Sequence, residues 1–62
     1  MTLSGTEIRC VEPFSIFKKG VVVYCFAEEE DGFWISSPLI ESAYGTPQMQ
    51  LPLHRKKNFI PR

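Results

Sequence analysis

The sequence predicts a small all-β domain: five short strands curled into a closed or nearly closed barrel, with one short helical turn near the C-terminus. Three observations lead there. Val21 to Ala27 is a run of β-branched, aromatic and other apolar residues, which favours extended structure and disfavours helix. "EEEDG" follows at Glu28 to Gly32, and then a second apolar run begins at Phe33; an Asp-Gly step between two such runs is a strong hairpin signal. Nowhere do apolar residues recur three and four apart over a window of helix length.

Met1 to Thr6 is small and polar and reads as a flexible lead-in, residues 1–6, to a single domain over residues 7–62. Glu7 to Val11 alternates, Ile8 and Cys10 one way and Arg9 and Val11 the other, so it reads as a short strand that Pro13 ends. "FSIF" at Phe14 to Phe17 is apolar, and "KKG" after it is a diverging turn in which Gly20 supplies a conformation closed to other residues. Val21 to Ala27 is the best strand of the chain. Phe33 to Ser37 returns against it and stops at Pro38. Leu39 to Pro52 reads as irregular, with a turn at Tyr44 to Pro47 and a short strand at Gln48 to Leu51. "HRKKN" is polar and suits a single 3-10 turn near Lys56 to Asn58, and Phe59 with Ile60 closes the domain as a last strand. Strands this many and this short must curl, because an open sheet leaves unpaired edges and a bare apolar face.

Several of these pieces resemble a known family. "FSIFKKG" at Phe14 to Gly20 is similar to the "LSFKKG" segment of SH3 domains, and "EDGFW" at Glu30 to Trp34 to their "DDGWW". "KKNFI" at Lys56 to Ile60 resembles "PSNYV", the one-turn helix and final strand of that family. Twelve residues separate Gly20 from Gly32, a spacing common in it, and the likeness covers roughly Ile8 to Ile60. Small SH3-like barrels encoded by bacteriophages are similar in the same places. The resemblance implies a five-stranded SH3-like barrel. It does not imply the family's proline-rich ligand: the tyrosines of "ALYDY" have no counterparts, the long acidic loop after that strand is missing or very short, and Lys56 stands where the groove proline would be.

Composition narrows the function. An apolar share of 44% and a charged share of 23% belong to a folded chain, and 62 residues make one domain. Formal net charge is zero, which speaks against a general nucleic-acid binder and against an acidic mimic of DNA. The charge is divided, however: six acids against three bases in Met1 to Asp31, one acid against four bases in Gly32 to Arg62. No positively charged start leads into a long apolar run, and no stretch approaches the roughly 20 apolar residues that span a bilayer. A cytoplasmic protein without membrane partners is expected, with Cys10 and Cys25 as reduced thiols.

No catalytic set is legible. His54 has no nucleophile beside it, and both cysteines sit in apolar strands where thiols are usually inert packing residues. Two cysteines and one histidine at these spacings make no zinc site, so no metal and no cofactor is expected. The acidic tip Glu28 to Asp31 lacks the ligand spacing of a calcium loop and reads as solvated.

Binding residues are easier to nominate. Phe33, Trp34, Phe59 and Tyr24 form a candidate protein-binding patch, because both faces of the Val21 to Ser37 hairpin are apolar and only one can be core. If Val21, Val23 and Cys25 face the core, the Tyr24 ring faces solvent and Phe26 fills a second small cluster. If the register is the other, Tyr24 and Phe26 are buried and Cys25 lies outside. The expected function is a non-catalytic protein-interaction module, such as a small phage or prophage accessory protein that modulates a host protein. A homodimer through the aromatic patch or a barrel edge is a further expectation. The alternative is a nucleic-acid-binding barrel using the basic side chains of Lys18, Lys19, Arg55, Lys56 and Lys57.

Overall fold

In the computed structural model, which describes residues 3–62, the hairpin is the centre of one five-stranded sheet. The strands are β1 (Thr6–Cys10), β2 (Val22–Glu29), β3 (Gly32–Ser36), β4 (Gln48–Leu51) and β5 (Phe59–Pro61). A helix, α1 (Pro38–Tyr44), joins β3 to β4, and a 3-10 turn (Leu53–Asn58) leads into β5. The order across the sheet is β4-β3-β2-β1-β5, and every pairing is antiparallel. The edge strands β4 and β5 are not hydrogen-bonded to each other, so of the closed or nearly closed barrel expected from the sequence the closure is not formed.

The sheet is nonetheless strongly curled. Strands three positions apart lie about 14 Å from each other in a flat sheet. Phe33 of β3 and Phe59 of β5 are three positions apart, yet their ring centroids are 6.1 Å from each other in an edge-to-face contact. Ile8 and Cys10 of β1, Val23 and Cys25 of β2, Phe33 and Ile35 of β3 and Leu51 of β4 join Phe59 in the core on this concave side. Alternation does the sorting, since successive side chains of a strand point to opposite faces.

A bulge in β2 makes the curl compatible with that sorting. Cys25 stands opposite Ile35, but the next pair is Ala27 opposite Trp34, so Phe26 is one residue extra on its strand. The extra residue resets the parity. Glu28 therefore comes opposite Phe33 and points inward, where it ties down the rim of the core: Lys56 Nζ donates to its Oε2 at 2.6 Å and the Leu3 amide to its Oε1 at 2.7 Å. Leu3 is itself buried, and the Gly5 amide donates to the Cys25 carbonyl at 2.7 Å. Residues 3–6 of the expected flexible lead-in are thus tied to the fold, and its first two residues lie outside the described ones.

Two connections differ from expectation. "FSIF" forms no strand of the sheet: Phe14 and Phe17 exchange backbone hydrogen bonds at 3.0 and 2.8 Å around Ser15, whose φ is +51°. Phe17 is buried, and its ring lies 5.2 Å from Phe14 and 6.0 Å from Phe59. The stretch after Pro38, expected to be irregular, begins with α1. Ser37 caps it, its Oγ accepting from the Leu39 amide at 3.1 Å, Pro38 sits in the first turn, and Gly45 ends it at φ +81°. One buried side chain, Ile40, anchors it. The 3-10 turn before Phe59 lies where the polar "HRKKN" stretch suggested it.

The glycines of the hairpin act for different reasons. Gly20 takes φ +95°, as its turn requires. Gly32 has no positive φ and neither has Glu30 or Asp31, so the tip is not a turn of the Asp-Gly type. Gly32 is needed for space, since a Cβ there would lie 2.6 Å from the Leu51 carbonyl oxygen of β4. Gly32→Ala is therefore expected to force β3 and β4 apart and to cost roughly 1–3 kcal/mol in urea unfolding. A cost below about 0.5 kcal/mol, within ordinary surface variation, would contradict this packing of β4 on the hairpin tip.

Candidate functional site

The convex face of the sheet carries the residues that the core does not use. Tyr24 is opposite Glu7 of β1 on one side and Ser36 of β3 on the other, so these three side chains form a row across the outer face. One step toward the hairpin tip stand Phe26 and Trp34, half-buried, with ring centroids 6.3 Å apart. The Trp34 indole Nε1 donates to Glu29 Oε1 at 2.6 Å, which holds the ring across the strand ends. Tyr24, 43% exposed, is the most open aromatic of the sheet.

Beside Tyr24 lies a groove of about 360 Å³. The sheet lines it with Glu7, Val22, Tyr24 and Ser36; the segment beyond β3 lines it with Pro38, Glu41 and Pro47. Its walls follow from local structure. The Ser37 cap turns the chain sharply into α1, and the Ser37 amide donates to the Pro47 carbonyl at 2.9 Å, which holds the two ends of the helical connection together. Prolines at both places stiffen the backbone. The volume falls in the range of small ligand sites, but among the described residues no hydroxyl of the lining is hydrogen-bonded to either of its carboxylates.

The four aromatic candidates divide. Trp34 and Tyr24 are on the outer face, and Phe26 joins them as the second small cluster of the first register. Phe33 and Phe59 are 0% and 4% exposed and belong to the core, so they are removed from the candidate patch. The reason is register: Phe33 is opposite both Glu28 and Leu51 on the concave side, and Phe59 is opposite Cys10.

The basic candidates are also divided. Lys56 is engaged by Glu28, and the Arg55 guanidinium lies 4.4 Å from the centroid of the Phe14 ring. Lys18, Lys19 and Lys57 are exposed and carry the free charge of that end. Nor is the acidic tip uniformly solvated: Glu28 faces inward and Glu29 holds Trp34, which leaves Glu30 and Asp31. Among the described residues no group of three or more His, Cys, Asp or Glu side chains is placed to hold a metal ion, and no helix is long and apolar enough to cross a membrane.

Cys10 and Cys25 are buried free thiols on adjacent strands. Cys25 pairs with Thr6, four residues from Cys10 along β1. That offset is roughly 13 Å at strand rise, too far for a disulfide. Burial pushes both thiols above the usual value of 9.0, although Cys10 Sγ donates to the Glu12 carbonyl and Cys25 Sγ to the Ala27 carbonyl.

Comparison of the chain with protein-family models, with curated proteins and with solved structures finds no match in any of the three.

The thiols give a pH expectation. Below about pH 9 they are protonated whether the chain is folded or not, and their burial stabilises fully. Above it the unfolded chain ionises first, so stability is expected to fall as pH rises from 9 toward the higher folded-state values. Urea midpoints between pH 7 and 10 measure this, beside a Cys10→Ala, Cys25→Ala control that should flatten the alkaline fall. An equal fall in the control would assign it to other groups.

Proposed function

We propose that this protein is a non-catalytic protein-interaction module of SH3-like build that docks a partner protein on its convex face, centred on Tyr24 with Phe26 and Trp34 alongside. The observation that carries the reading is the placement of Tyr24: an open aromatic ring beside a groove, on the centre strand of a braced sheet. Aromatic side chains on a rigid support are the usual anchors of protein interfaces. The curl that brings Phe33 to Phe59 and the 3-10 turn before β5 support the SH3-like part of the proposal. The docking surface differs from the aromatic patch expected from the sequence, because Phe33 and Phe59 are internal. An accessory protein that modulates its partner by occupying a surface fits a chain of this size.

Nucleic-acid binding is the weaker reading. Two of its five basic side chains already have partners within the fold, and the outer aromatics lie on β2 and β3, whereas Lys18, Lys19 and Lys57 lie in the connections between strands.

Retention of a partner on immobilised protein from nuclease-treated lysate tests the choice. Tyr24→Ala and Trp34→Ala are each expected to reduce retention about tenfold or more, the size of an interface anchor. Lys57→Glu is expected to change it little. Retention that disappears with nuclease, or that follows Lys18, Lys19 and Lys57 and weakens steeply with salt, would assign the protein to nucleic acid instead.

A further inference from the structure

Two carboxylates line the groove together with Tyr24, Glu7 as its cross-strand partner and Glu41 from α1. No lysine, arginine or histidine lines it. The remaining lining is apolar or small: Val22, Val23, Ser36, Ser37 and the two prolines. A negatively charged, aromatic-walled cleft on a chain of zero net charge selects a cation. The chain already illustrates the preference, because Arg62 Nη1 approaches Glu7 Oε1 at 3.4 Å from the end of β5. Glu41 has no such neighbour: among the described residues its carboxylate has no hydrogen-bond or ion-pair partner.

We propose that the groove receives an arginine side chain from a basic segment of the partner, its guanidinium lying on the Tyr24 ring and reaching the Glu41 carboxylate. This rests on the protein-interaction reading and names the chemistry of the partner. The planar guanidinium suits the place better than an ammonium, since it stacks on an aromatic face while its edge donates to a carboxylate. Glu7 contributes field and is shared with Arg62. The prolines and Val22 take the methylene stem, as apolar surface commonly does for long cationic side chains.

The test is a titration of the 15N-labelled protein with a blocked tetrapeptide, Gly-Arg-Arg-Gly, followed by amide shifts. The expected result is saturating shifts confined to Glu7, Val22, Tyr24, Ser36 and Glu41, and none from the matched Gly-Gln-Gln-Gly peptide. Glu41→Gln, an exposed change that leaves the fold intact, is expected to weaken binding about two- to fivefold, as for an exposed charge pair. Tyr24→Phe should retain binding and Tyr24→Ala lose it; dispersed amide spectra verify that each variant is folded. Shifts centred on Glu30 and Asp31, equal shifts with the glutamine peptide, or none at millimolar peptide would overturn the proposal. The two readings fail separately. If the peptide does not bind but partner retention still depends on Tyr24 and Trp34, the arginine site is wrong and the interaction module stands. If the peptide binds as described but nothing is retained, the arginine site stands and the module loses its support.

Discussion

Phe26 is one residue more than β2 needs, and most of the molecule's organisation follows from where that residue was inserted. On the Cys25 side of the bulge the odd-numbered residues of β2 face the core; on the far side Glu28 does. A regular strand would have sent Ala27 and Glu29 inward and left Glu28 in solvent. With the bulge, Glu28 turns inward at the rim, where Lys56 and the Leu3 amide donate to its two carboxylate oxygens. A charged group placed deeper would need complete compensation. The same insertion brings Ala27, in place of Phe26, opposite Trp34 on the convex side and sharpens the local twist.

Curl and closure are thus separate achievements. No ladder joins β4 to β5, so the gap between the edges is filled by side chains. Phe33, Phe59, Phe14 and Phe17 meet one another edge-to-face or tilted across it, with centroids between 5.2 and 6.1 Å. Such pairs add to the area they bury, which matters in a domain too small to bury most of its surface. Asn58 ties down the same end in polar terms: buried, it donates its Nδ2 to the Glu12 carbonyl, while its backbone carbonyl accepts the Val11 amide. The concave side is therefore fully committed, and the convex side is where side chains remain to meet another molecule.

The hairpin, the small final strand and the 3-10 turn were legible because each has a local cause: β-branched runs, a Gly-bearing tip, a polar pentapeptide. The signal at the tip was right for a partly wrong reason, since Gly32 serves a close approach of β4 and not a turn that demands positive φ. The helix α1 escaped because its seven residues show no period and bury only Ile40. Its ends were nevertheless written in "SSP" and in Gly45, cap signals that need no periodicity. What could not be read was register. A one-residue slip exchanges the faces of a strand, and nothing in Tyr24-Cys25-Phe26-Ala27 announces a bulge. Hence Phe33 and Phe59 look as suitable for a surface patch as Trp34 until the pairing is known. The groove is lined by residues as far apart in the sequence as Glu7 and Pro47 and was invisible for the same reason.

Function follows from that register as well, because it decides which aromatic rings a partner can touch. Were Tyr24 and Phe26 internal and Cys25 external, the convex face would lose its anchors and the groove its aromatic wall. Cross-strand and ring contacts in the nuclear Overhauser spectrum of the folded protein measure the register directly. The account predicts contacts of Cys25 with Ile35 and of Ala27 with Trp34 across the strands, Phe33 with Phe59 between rings, and no contact of the Tyr24 ring with Ile8 or Ile35. Contacts of the Tyr24 and Phe26 rings with those two isoleucines, and an unbroken pairing through Phe26, would contradict it.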